Sequence, residues 1–203
     1  PPLFLLILVY HIIIKNRKIK LPKLSWVKIR GYRNTKEICG KLINATISRE
    51  PNGKYCVSVL YEIPSLEPSY IIPRTVVGLD LGVKKLITLS DGSEIKNNKY
   101  ILKYEKRIKR LQRSLSRKIK GSKNYYKCKQ QLAILYSKLK NARNYYLHKI
   151  TKEITDEYDI IATEKLQTRS MLQNKNLSKK LADASFYEII RQLQYKTKCT
   201  TYT

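Results

Sequence analysis

Two short apolar runs each carry a carboxylate at or near the end: Val76-Val77-Gly78-Leu79-Asp80-Leu81-Gly82 and Ile160-Ile161-Ala162-Thr163-Glu164. Short, near-continuous apolar runs of this kind read as strands buried on both faces, around which a core must form. A carboxylate buried there without a partner costs several kcal/mol. Asp80 and Glu164 therefore call for a partner, a metal or a reaction. Strand alternation lets Gly78, Asp80 and Gly82 share one face of their strand, as Ile160, Ala162 and Glu164 share one face of theirs. Neighbouring strands would make the two acids converge, where paired carboxylates hold divalent ions for phosphodiester chemistry.

The pattern around these runs predicts the rest of the chain. Lys84 to Ser90 reads as a second strand, Asp91-Gly92 as a turn and Ser93 to Ile95 as a third strand, giving an antiparallel meander. Apolar residues then step by three or four through Ile101, Tyr104, Ile108, Leu111, Leu115 and Ile119, and through Cys128, Leu132, Leu135, Leu139, Ala142 and Tyr146. That spacing predicts a helical hairpin turning at Gly121-Ser122-Lys123-Asn124, its stripes facing each other or the sheet. A strand over Asp159 to Glu164 and a last helix from about Ala184 to Lys198 follow a polar stretch. Meander, helices and a returning parallel strand together describe a ribonuclease-H-like sheet.

Residues 21 to 73 read as a smaller β-domain. Leu24 to Arg30 is a short strand carrying Trp26, and Ile43, Ala45 and Ile47 alternate with polar neighbours. After the hairpin signal Glu50-Pro51-Asn52-Gly53, Tyr55, Val57, Val59 and Tyr61 alternate again. Pro64, Pro68 and Pro73 then mark a linker and a boundary near residue 74. Upstream, residues 11 to 20 read as one strand with a polar face. The chain opens on Pro1-Pro2 without Met and stays apolar from Leu3 to Ile14. That run is too short to span a bilayer, and its basic residues follow it, the reverse of a secretory signal. A foreign or disordered segment is the expectation for residues 1–14.

Charge narrows the partner. The 203 residues hold 42 Lys and Arg against 15 Asp and Glu, a net charge of +27 spread along the chain. Such an excess points to DNA or RNA. The first predicted helix is almost wholly basic on its outer face, with Lys103, Lys106, Arg107, Lys109, Arg110, Arg113, Arg117, Lys118 and Lys120 relieved only by Glu105. Like charges three and four apart oppose helix formation, so a phosphate backbone is the natural complement. Lys123 in the hairpin turn and Lys28 and Arg30 in the β-domain extend the basic set. Cys39, Cys56, Cys128 and Cys199 form no C-x-x-C pair, so no zinc site is expected within the chain. His11 and His148 are isolated and receive no role.

Several segments together resemble one family. Lys20-Leu21-Pro22-Lys23-Leu24-Ser25-Trp26-Val27-Lys28, Gly78-Leu79-Asp80-Leu81-Gly82, Gly121-Ser122-Lys123-Asn124, Ile160-Ile161-Ala162-Thr163-Glu164-Lys165-Leu166 and Ala182-Asp183-Ala184-Ser185 are similar, in the same order, to the TnpB (OrfB) proteins of bacterial and archaeal insertion sequences. These are compact RNA-guided DNA endonucleases of the RuvC type, related to the type V CRISPR effectors. The resemblance implies an α+β or α/β architecture. A β-barrel-like wedge domain over 15–73 would hold guide RNA, and a RuvC-like nuclease domain with a long helical hairpin would occupy 74–203. By the same resemblance Asp80 is the first catalytic aspartate and Glu164 the catalytic glutamate, ligands of Mg²⁺ or Mn²⁺. DNA and guide RNA are the implied partners, with no membrane, in a cytoplasmic, nucleoid-associated setting.

The chain departs from the family pattern after Lys198, where a zinc ribbon and a third catalytic aspartate would follow. The expectation is a nuclease domain truncated before both, and a catalytically incomplete fragment of a transposition-associated endonuclease. A non-catalytic nucleic-acid-binding remnant and a ribosomal-type RNA-binding protein are the alternatives, the last leaving Asp80 and Glu164 unexplained.

Overall fold

The computed structural model describes residues 3–8, 13–15, 17–21, 25–30, 40–63, 74–164, 166, 171, 173, 178–197 and 199–202. The chain divides into two compact units, Pro1–Tyr70 and Ile71–Thr203. Among the described residues no helix is long and apolar enough to cross a membrane.

The described residues of the first unit form two small sheets. Strands β1 (Leu3–Leu8), β5 (Lys41–Arg49) and β6 (Tyr55–Glu62) form one antiparallel sheet, while β2 (Ile13–Lys15), β3 (Lys18–Leu21) and β4 (Ser25–Lys28) form a second. Alternation sends Ile19 and Leu21 of β3 inward, where they meet Ala45 of β5 in a small core bordered by Leu42, Val57 and Val59. The β5–β6 hairpin closes as its sequence predicts: Lys54 N–H donates to Asn52 Oδ1 at 2.8 Å, and Gly53 takes φ 87°.

Two expectations for this unit need correction. Residues 11–20 are not one strand, because Arg17 adopts φ 56° and folds Lys18 back against Lys15. A bulge between Leu42 and Asn44 breaks the alternation, so Leu42 joins the core and Ile43 faces solvent. Within the segment 1–14, Leu3–Leu8 pairs with β5 along its whole length.

The second unit centres on a five-stranded sheet. Its strands β7 (Val76–Leu81), β8 (Lys85–Leu89), β9 (Glu94–Lys96), β10 (Ile160–Thr163) and β11 (Cys199–Tyr202) lie in the order β11-β10-β7-β8-β9. The first three form the expected antiparallel meander, and β10 returns parallel to β7. A parallel return needs a long crossover, supplied by helices α1 (Tyr100–Ser116) and α2 (Lys123–Glu157). Val77, Leu79 and Leu81 alternate inward with Ile161 against Leu147, Ile150 and Ile154 of α2. Gly82 ends β7 in a turn too tight for a side chain: a Cβ there would meet the Lys85 carbonyl oxygen at 2.6 Å.

Both alternatives for the hairpin stripes are realised, in different halves of α2. Near the turn, Leu135 and Leu139 pack on Ile108 of α1; toward its C-terminus the 35-residue helix changes partner and covers the sheet. It therefore runs past Tyr146 to Glu157. Ser122 caps its start, accepting the Tyr125 N–H at 3.1 Å. Ile119, expected on the first stripe, lies beyond the end of α1 and is 82% exposed. β11 occupies residues 199–202, parallel to β10.

The last helix is found close to its expected bounds, and a short helix precedes it. Ser185 takes φ 56° and separates α3 (Ser178–Ala184) from α4 (Phe186–Lys196). Buried Asp183, just before the break, holds three helices together. Its carboxylate accepts the Ile101 N–H at the start of α1 and the Arg143 Nη2 from α2 at 3.1 Å, while Arg143 Nη1 donates to Ser185 Oγ. Lys99 provides no side-chain cap for α1, so Asp183 satisfies one of its free N–H groups from outside. A second tie joins α3 to α1: Glu105 accepts from Lys109 at 2.8 Å and Lys179 at 2.5 Å. Those two bonds hold the Glu105 carboxyl at about 2, well below the usual carboxylate range.

Removing Asp183 leaves a largely buried guanidinium without its counter-charge. Asp183→Ala is expected to cost about 3–5 kcal/mol in urea unfolding, and adding Arg143→Met to recover much of it. A loss below about 1 kcal/mol would contradict this role for the pair.

A candidate metal and nucleic-acid site

Asp80 sits on the central strand, one residue before its end, with Thr88 of β8 as its cross-strand partner. On the other side, β7 and β10 pair Ala162 with Gly78 and Thr163 with Leu79. One further step in that register brings Glu164 level with Asp80, across a strand spacing of about 4.8 Å. The pairs Val77–Ile161 and Leu79–Thr163 are buried on the core face. Alternation therefore turns Asp80 and Glu164 to the opposite face together. Around them the residues are small: Gly78, Ala162, Thr88 and Ser90, whose Oγ accepts the Gly78 N–H at 3.0 Å.

Both carboxylates are exposed, which corrects the premise that they are buried. Among the described residues the strands are covered on one face, and Asp80 lies on the other. No desolvation cost demands a partner for them. Two carboxylates at adjacent strand ends, with little side-chain bulk between, are residues that could hold a hard cation. Among the described residues no group of three His, Cys, Asp or Glu converges to hold a metal.

The basic residues fall into two groups. Lys106, Lys109, Arg110, Arg113, Arg117 and Lys118 line one concave surface of about 750 Å³ on and just beyond α1. Lys103, Arg107, Lys120 and Lys123 are exposed outside it, and Lys103 Nζ lies 5.2 Å from the centre of the Tyr100 ring. Because α1 ends at Ser116, Arg117, Lys118 and Lys120 extend the surface through the turn and not along the helix.

In the first unit Lys28 and Arg30 are exposed, and the register gives Lys28 a setting that spacing alone could not. Lys15 pairs with Lys18, and Lys18 with Lys28, so three lysines stand in one row across β2, β3 and β4. Lys20 pairs with both Ile13 and Trp26 beside that row. Since Ile19 and Leu21 are buried on the other face, these residues share the exposed one, where Trp26 is 44% accessible. Lys15, Lys18 and Lys20 were not singled out by sequence; alternation turns Lys18 and Lys20 outward, but only the register aligns them. Like charges placed directly opposite destabilise a sheet, and an aromatic side chain among lysines is the composition of a single-strand binding face.

Comparisons with known proteins show the family. The family OrfB_IS605, described as "Probable transposase", matches residues 58–175, more than half of the chain. The chain is 35% identical over 197 residues to the Escherichia coli (strain K12) protein named "Putative RNA-guided DNA endonuclease InsQ", covering 90% of this chain and 48% of that one. It is 34% identical over 159 residues to a Streptomyces pristinaespiralis protein with the same name apart from InsQ, covering 77% and 38%. The chain thus spans about half the length of these curated relatives, or less. A solved complex of Cas12f1 with sgRNA and target DNA aligns with all of this chain and 52% of its own, at a TM-score of 0.42 and 12% identity, too low to carry an argument. On the match across residues 58–175, the chain belongs to the OrfB_IS605 family of transposase-associated TnpB (OrfB) proteins.

Proposed function

We propose that this chain carries the nucleic-acid surfaces and a metal-ligand pair of an RNA-guided, divalent-metal-dependent DNA endonuclease associated with transposition. The observation that supports the reading is the register of β10 on β7, which ends on the pair Thr163–Leu79, directly before Glu164 and Asp80. Those two carboxylates would hold Mg²⁺ or Mn²⁺. Bound there, the cation supplies Lewis-acid stabilisation of a phosphodiester and activates a water. The names of the relatives support DNA as substrate and RNA as guide.

The chain's own residues position the nucleic acid. The concave surface of α1 takes a phosphate backbone through Lys106, Arg110, Arg113 and Arg117. In the first unit, a wedge-like domain over 15–73, the lysine row and Trp26 take guide RNA, phosphates on Lys15, Lys18 and Lys28 and a base against the indole. Residues 74 onward form the RuvC-like nuclease part.

Mn²⁺ binding measured by electron paramagnetic resonance tests the pair. Asp80→Asn and Glu164→Gln are each expected to weaken binding at least tenfold, or about 1.4 kcal/mol. Both residues are exposed, so the variants keep the fold, and unchanged affinity in either would overturn the assignment. For the first unit, Lys18→Thr removes the central charge of the row. It should raise stability by a few tenths of a kcal/mol while weakening single-stranded RNA binding. Loss of stability with RNA affinity intact would rule out the lysine row as a binding element.

A further inference from the structure

A second site lies at the edge of the second unit, where the β7–β8 turn, the link from β9 to α1, the first turn of α1 and helix α3 meet. Val83, Ile101 and Leu102 give a cavity of about 220 Å³ an apolar floor. Its polar walls are already engaged. Asn97 donates to the Val83 carbonyl and accepts from the Lys99 N–H, each at 3.0 Å, and Asp183 is held by Ile101 and Arg143. Around it stand Lys84, Lys99, Lys179 and Lys180. Glu105 pairs with Lys179, while no carboxylate among the described residues pairs with Lys84, Lys99 or Lys180. A cavity below the usual range for drug-sized ligands, apolar at its floor and cationic at its rim, fits one flat apolar group attached to an anion.

Its place in the fold says which group. Leu102, Lys106, Lys109 and Arg113 follow at helical spacing on one side of α1, so the cavity opens at the start of the stripe that forms the basic surface. Val83 follows Asp80 by three residues, a chain reach of at most about 11 Å. We infer that this cavity receives one nucleobase of a single strand whose backbone runs along α1, with the adjoining phosphate on Lys84, Lys99 and Lys180. The base rests against Val83, Ile101 and Leu102, while Asn97 and Asp183 are already bonded within the protein. The inference rests on the nucleic-acid part of the proposed function and is independent of the metal pair.

Nuclear magnetic resonance of the ¹⁵N-labelled full chain, with EDTA present, tests it using AMP and dAMP against ribose 5-phosphate and deoxyribose 5-phosphate. The nucleotides should produce saturable shifts at the Val83, Asn97 and Leu102 amides and bind at least tenfold more tightly than the matching sugar phosphates. The tighter of AMP and dAMP identifies RNA or DNA as the strand, and either supports the site. Leu102, 58% exposed, can change without disturbing the core. Leu102→Asp should weaken both nucleotides at least tenfold, and Lys84→Gln with Lys180→Gln should weaken nucleotides and sugar phosphates alike. With EDTA holding any divalent cation, these readouts are separate from the metal pair. Equal affinity for nucleotides and sugar phosphates, shifts confined to the helix beyond Lys106, or full affinity in Leu102→Asp would overturn the inference.

Discussion

The parallel pairing of β10 with β7 is the constraint on which the second unit depends. Two segments far apart in the chain have to lie side by side and run the same way, so the intervening chain must cross from one end of the sheet to the other. Helices α1 and α2 make that crossing. At 35 residues α2 is about 52 Å long, enough to pack on α1 near the turn and on the sheet near its end. Once Val77, Leu79 and Ile161 are committed to the face beneath α2, alternation leaves Asp80 and Glu164 no choice but the other. The placement of the acids is thus a consequence of how the core is buried.

The surplus of positive charge is dealt with unevenly. Where helices meet, cations have partners: Arg143 with Asp183, and Lys109 and Lys179 sharing Glu105. Along the outer side of α1 and across β2, β3 and β4, cations face one another instead. Self-repulsion in those two places opposes the local structure. A polyanion relieves it, so the same residues that weaken the free protein favour its complex with nucleic acid.

Much of this fold was legible in the sequence, and the exceptions have physical causes. Alternation and turn residues located the β5–β6 hairpin and the meander, and the apolar stripes located both long helices. The stripe of α2 changes face where its partner changes from α1 to the sheet, which hid its extension through Leu147, Ile150 and Ile154. Ser185 breaks a helical pattern by a single backbone conformation that the run Asp183-Ala184-Ser185-Phe186 does not announce. Of the candidate site, the two acids and the basic side of α1 could be read from pattern, although a near-continuous apolar run made exposed carboxylates look buried. The lysine row and the cavity beside Leu102 depend on register and on the meeting of distant segments, which local spacing does not encode.

The central claim is that Asp80 and Glu164 share one cation on the open face of the sheet. Anomalous scattering from Mn²⁺ in crystals of the chain tests it most directly. The account predicts one strong peak bonded to an oxygen of each carboxylate, at about 2.1–2.2 Å, close to the distances small hard cations adopt. A peak ligated elsewhere, or the two carboxylates on opposite faces of the sheet, would contradict it.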